Sequence, residues 1–136
     1  MYQYILVGIF LSSYSQASAN DIKKIYSVYK EARIKFYTSD VNKKNIKSKV
    51  ADYLKVLNTS LQEIQNIESK TKTPILSPEG NQIAYDQALF EPIHNLSKSK
   101  IDKKTCDEAE HLNKINAAND QKEYDMVNSI LKKLCK

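Results

Sequence analysis

Two Glu-x-x-His spacings, Glu91-Pro92-Ile93-His94 and Glu108-Ala109-Glu110-His111, are the stretches of this chain best suited to chemistry. Helical bundles that hold a carboxylate-bridged metal pair use two such motifs, with one Glu from each of two further helices and every ligand pointing inward. Glu31 and Glu63 could be the other two carboxylates. Both lie off the apolar stripes of their segments, and Pro92 interrupts the turn that would align Glu91 with His94. The pattern therefore predicts solvated polar residues at Glu91, His94, Glu108 and His111 and no metal site. His111 with Asp107 or Glu108 offers zinc two or three donors on one helix face, without a fourth.

Other chemistry is less supported still. No serine falls in a recognisable local frame with a histidine and an acid, so no set of catalytic roles is assembled and no enzyme is expected. Gly8 and Gly80 are the only glycines, which leaves no Gly-rich phosphate cradle. No cofactor is expected.

The two cysteines, Cys106 and Cys135, bracket two helical patterns that meet at Asn119-Asp120. Asp120 can cap the second pattern, with Glu123 completing a capping box. The arms on either side of this turn differ by only about 3 Å at 1.5 Å per helical residue, so a hairpin brings the sulfurs together at its open end. Such a bridge contributes roughly 3 to 4 kcal/mol in the chain-entropy model. One unbroken helix with two free thiols is the competing arrangement, and the turn chemistry at Asn119-Asp120 opposes it.

A covalent bridge suits an exported protein, and the N-terminus reads the same way. The first nineteen residues carry no charge; the apolar run Ile5–Leu11 gives way to small and polar residues ending in Ala17-Ser18-Ala19. This is the layout of a signal peptide, 1–19, cleaved before Asn20, although Met1–Tyr4 lacks the customary basic residue. The run is well short of the ~20 residues of a spanning helix, so no transmembrane span is expected in the exported chain. A periplasmic location follows, with secretion as the alternative.

The remaining 20–136 read as a single helical domain. Ile22, Ile25, Tyr26, Tyr29, Ala32, Arg33 by its stem, and Phe36 recur at helical spacing, with Asn20 or Asp21 as cap. After Thr38-Ser39-Asp40 comes the clearest stripe, Ile46 to Ile67. Ser69 to Gly80 contains two prolines and reads as a loop, with Ser77 capping a third helix that has Pro78 in its first turn. That helix carries Ile83, Tyr85, Ala88, Leu89, Ile93 and Leu96, and Pro92 predicts a kink or break near Ala88 to Glu91. After a polar linker from Ser97 to Lys103, the hairpin supplies Ala109, Leu112 and Ile115 on one arm, and Tyr124, Val127, Ile130, Leu131 and Leu134 on the other. The expected fold is all-α, a small bundle of four or five helices whose C-terminal hairpin is closed by one disulfide.

In helix order this layout is similar to cytochrome b562-type haem proteins, which hold iron through a Met on the first helix and a His on the last. Residues 21–37 contain no Met, Gln121 to Cys135 contains no His, and no Cys-x-x-Cys-His attachment signature occurs. Met126 is expected to fill space.

Charge is unevenly placed: residues 20–72 carry net +6 and residues 73–136 net −1. Lys43, Lys44, Lys47 and Lys49 crowd the start of the second helix, where the macrodipole favours acids. This suggests an acidic partner, against the simpler reading of a solvated lysine face. Export argues against nucleic acid. The expected function is an exported, non-enzymatic protein that binds a protein partner in the periplasm, of the inhibitor or immunity-factor type. The basic patch and the Ser69-to-Gly80 loop are its expected contacts. The alternatives are a metal- or haem-binding bundle and an adaptor on an anionic envelope surface. Nothing in the sequence sets the oligomeric state.

Overall fold

The structure, a computed structural model, describes residues 2–70 and 77–136, with side chains from Ser18 onward. It is an all-α bundle of five helices: α1 (Tyr2–Thr38), α2 (Ile46–Ser69), α3 (Pro78–Lys98), α4 (Lys103–Asn116) and α5 (Gln121–Leu134). None of its helices is long and apolar enough to cross a membrane among the described residues.

α3 is the hub and packs against each of the other four helices. It earns that place by its sequence, since Ile83, Leu89, Phe90, Ile93 and Leu96 are all buried. At the centre, Phe36 of α1, Tyr53 of α2 and Phe90 of α3 form a three-ring cluster. Phe36 stacks on Tyr53 at 5.1 Å between centroids, and Phe90 meets both edge-on at 5.2 and 4.9 Å. Pairs of this kind contribute about 0.5–1.5 kcal/mol each beyond the area they bury.

The α1–α2 connection is held by asparagine side chains. Asn42 accepts from the backbone N–H groups of Lys44 and Asn45, while Asn45 accepts from Asn42 N and donates to the Asp40 carbonyl. Short polar side chains stabilise turns in this way.

Ser77 caps α3 as expected, accepting from Gly80 N at 3.1 Å, with Pro78 in the first turn. The Ser77 N–H and hydroxyl both donate to Glu68 Oε1 on α2, at 2.9 and 2.8 Å. The middle of the expected loop, residues 71–76, lies outside the described residues.

Several local expectations need correction. α1 has no start at Asn20 or Asp21 but runs through them, since no glycine or proline interrupts residues 9–38. Of the kink or break expected near Ala88 to Glu91, the break does not occur, since α3 is one helix through Pro92. The linker after α3 is shorter than Ser97–Lys103, because α3 ends at Lys98 and α4 begins at Lys103. Ile115 is 58% exposed, and Asn113, one turn after Ala109, takes the inward position instead, its amide donating to the Tyr124 carbonyl at 3.2 Å.

The hairpin closes as expected, apart from its capping box. α4 and α5 pack together, Asp120 Oδ1 accepts from Glu123 N at 3.2 Å, and Cys106 is joined to Cys135. The capping box forms elsewhere, at Asp102 and Thr105. At Asp120 the reciprocal Glu123 contact is missing because the Glu123 carboxylate is turned toward Arg33.

Candidate functional site

Three charged residues occupy core register on three different helices. Arg33 follows Tyr29 by four and precedes Phe36 by three; Asp86 sits between Ile83 and Phe90; Glu123 precedes Val127 by four. These spacings aim all three inward. Arg33 Nη1 lies 2.5 Å from Asp86 Oδ2, and Nη2 lies 2.5 Å from Glu123 Oε1. Gln82 donates to the other Asp86 oxygen at 3.2 Å, and the guanidinium rests over the Tyr37 ring at 5.2 Å.

One cation between two carboxylates leaves a surplus of negative charge in a poorly solvated place. Burial, then Glu123 and Asp120, push the Asp86 carboxyl up to about 7, while the Arg33 contact pulls the other way. Burial also holds the phenols of Tyr37 and Tyr53 neutral, well above their ordinary range. A raised carboxyl invites an acid–base role, but the main clefts of the surface are lined by other residues. Asp86 is itself 2% exposed, and through Arg33 the cluster ties α1, α3 and α5 together.

The Glu-x-x-His residues are not brought together. Glu91, Glu108 and His111 are exposed; His94 is half-buried and opens onto a cleft with Lys47 and Lys98, whereas Glu108 borders a different one. Burial and Lys98 hold His94 below its ordinary pKa. Glu31 and Glu63 are exposed as well. Among the described residues no group of three or more His, Cys, Asp or Glu side chains is placed to hold a metal ion. Met126 lies beside Arg33, its sulfur 4.0 Å from Nη2.

The lysines at the start of α2 do not form one patch. Lys43 reaches the Lys136 carbonyl at 3.3 Å and borders the cleft over the disulfide, together with Asp102, Asp107 and Glu110. Lys47 faces His94 and Lys98. Lys49 donates to the Asp40 carbonyl at 2.8 Å and lines a cleft between α1 and α2, while Lys44 is simply exposed. Lys43 and Lys44 lie in the turn before α2, and Lys47 and Lys49, two residues apart on the helix, are separated by about 200° around its axis.

That last cleft lies along the seam between α1 and α2. It holds about 260 Å³, bordered by Ala32, Lys35 and Phe36 of α1, Ser39 just beyond it, and Lys49, Asp52, Tyr53 and Val56 of α2. A second cleft of about 580 Å³ continues from it across Val56, between Lys24, Ile25 and Val28 of α1 and Lys55, Thr59, Ser60 and Glu63 of α2. Early α1 faces late α2, so the two helices run antiparallel. The two clefts adjoin at Val56 along the α1–α2 seam, referred to below as the groove, with apolar side chains and lysines contributed by both helices. Val28 is 57% exposed there, although the face of α1 turned to the bundle is closed by Tyr29 and Phe36. The signal for this groove was the net +6 of residues 20–72; the particular lysines depend on the register of α1 against α2.

Scans against family models, curated proteins and solved structures return no match to this chain.

Proposed function

We propose that this chain is an exported, non-enzymatic helical protein that captures an acidic protein partner in the groove between α1 and α2, in the manner of an inhibitor or immunity factor acting outside the cytosol. The groove carries the reading: two adjoining clefts share Val56, have apolar side chains at their base, and bring Lys24, Lys35, Lys49 and Lys55 to their margins. An exposed apolar surface rimmed by charge is the usual form of a protein-binding site. Export is supported by the uncharged leader-like segment and by the cysteine bridge. The Lys43–Lys44–Lys47 part of the basic patch does not contribute, because those side chains lie away from the groove.

The test is co-precipitation of the tagged full chain from the cells that make it, beside Val28→Glu and Ile115→Glu. Both substitutions fall at exposed apolar positions, but only Val28 lines the groove. A partner retained by the parent and Ile115→Glu and lost by Val28→Glu supports the proposal. A partner held equally by Val28→Glu removes it. Intact mass of the exported protein should correspond to a chain beginning at Asn20; a start at Met1 would contradict export by cleavage.

A further inference from the structure

The groove is specific enough to say what kind of segment would fill it, provided it is the partner surface proposed above. We infer that its occupant is an acidic amphipathic α-helix of about four turns, with its apolar stripe on Val28, Ala32 and Val56 and its carboxylates toward Lys24, Lys35 and Lys55.

Three observations lead there. The first is the nature of the walls. Both are α-helices, whose backbone N–H and C=O groups are bonded within the helix, so an extended peptide laid in the groove would find no strand edge to pair with. A helix brings its own backbone hydrogen bonds satisfied and needs only side-chain complementarity. The second is length. From Lys24 to Ser39 the groove follows about 22 Å of α1 at 1.5 Å per residue, the length of a helix of about fifteen residues.

The third is charge. Lys24, Lys35, Lys49 and Lys55 border the groove against only Asp52 and Glu63. Lys49 is engaged with the Asp40 carbonyl. Lys24, Lys35 and Lys55 are described residues that take part in no ion pair, so their ammonium groups have no carboxylate within salt-bridge distance. A partner carrying Glu or Asp on either side of an apolar stripe supplies both missing complements at once. A lipid surface matches less well: the groove is concave, and Asp52 and Glu63 would face the anionic headgroups.

The probe is a fifteen-residue, helix-stapled peptide with leucines at helical spacing and glutamates flanking them, followed by fluorescence anisotropy with the full-length chain. Binding in the range of tens of micromolar is expected at low salt, weakening as salt rises. A peptide with lysines in place of the glutamates should bind at least tenfold more weakly. Val28→Glu and the triple variant Lys24→Glu/Lys35→Glu/Lys55→Glu should each lose at least tenfold, while Ile115→Glu should not change. The triple variant alters exposed side chains only, so it guards against a folding defect in Val28→Glu. Absence of saturable binding, equal binding of the lysine peptide, or equal binding by Val28→Glu overturns the inference. So does tighter, Val28-dependent binding to phosphatidylglycerol vesicles, or formation of a dimer that Val28→Glu abolishes. If co-precipitation is lost in Val28→Glu while the acidic helix does not bind, the surface is right and the helix is wrong; if co-precipitation survives, both fall.

Discussion

The Asn116 side-chain amide donates to the Ala88 carbonyl at 2.8 Å, across the α3–α4 interface. Ala88 lies four residues before Pro92, so its carbonyl is the one that loses its intrahelical donor to the proline ring. A residue from the next helix takes over that role, which explains how α3 continues unbroken through a proline. Asn116→Ala should cost about 1 kcal/mol in urea unfolding. In a Pro92→Ala background, where position 92 regains an N–H, the same substitution should cost clearly less. Equal cost in both backgrounds would show that the two sites are uncoupled.

Removing Arg33 should be the most damaging single change to the charged cluster. Arg33→Met leaves Asp86 and Glu123 facing each other without their cation, a cost of about 3 kcal/mol at pH 8. Neutralising both acids as well, in Arg33→Met/Asp86→Asn/Glu123→Gln, should recover much of it. Chemical denaturation of the two variants measures the difference; a triple variant no more stable than Arg33→Met would show that packing of the arginine stem matters more than charge.

The cluster also predicts how stability varies with pH. Asp86 is pushed from an ordinary 3.8 up to about 7, so between those values the folded chain keeps a proton that the unfolded chain has released. Stability from this group is therefore greatest at the acid end of the window, falls as pH rises toward 7, and levels off above it. The slope is at most about 1.4 kcal/mol per pH unit. His94, held below its ordinary value, works in the opposite direction, so the parent alone is not diagnostic. The comparison with Asp86→Asn isolates the effect: its melting temperature should fall less than the parent's between pH 5 and 8.

Much of this fold was legible because it depends on local chemistry. Asp120 caps α5, Ser77 and Pro78 begin α3, and the two cysteines meet because the arms between them are nearly equal. The charged cluster was not legible, although its register was visible. Arg33 stands inside an apolar stripe, where spacing alone predicts only a buried stem, and the same spacing predicts Tyr85 on the inward face that Asp86 occupies; Tyr85 is 40% exposed. A charged residue at a core position signals burial only if an opposite charge reaches it from another helix, and that depends on packing. Glu123 shows the same limit: its spacing from Asp120 suits a capping box, but a guanidinium nearby competes more strongly than one backbone N–H. The lysines around the start of α2 show the reverse limit, since closeness in sequence is not closeness on the surface: Lys43, Lys47 and Lys49 border three different clefts.

The bridge between Cys106 and Cys135 closes 29 residues and fastens the free ends of α4 and α5. Reduction, or the Cys106→Ser/Cys135→Ser pair, should lower stability by roughly 3.5 kcal/mol in the chain-entropy model. Helix content by circular dichroism should stay close to that of the parent at 25 °C, because Val127, Ile130, Leu131 and Leu134 remain buried against the bundle. Unchanged stability under reductant would mean that the hairpin needs no staple.

The proposed function requires that the α1–α2 groove touch another protein. A photo-crosslinking benzoylphenylalanine placed at Val28, with a second protein carrying it at Ile115 as control, reads this directly in the producing cell. A discrete adduct from position 28 and none from position 115 is the predicted result. No adduct at position 28, or the same adduct from both, would contradict the account.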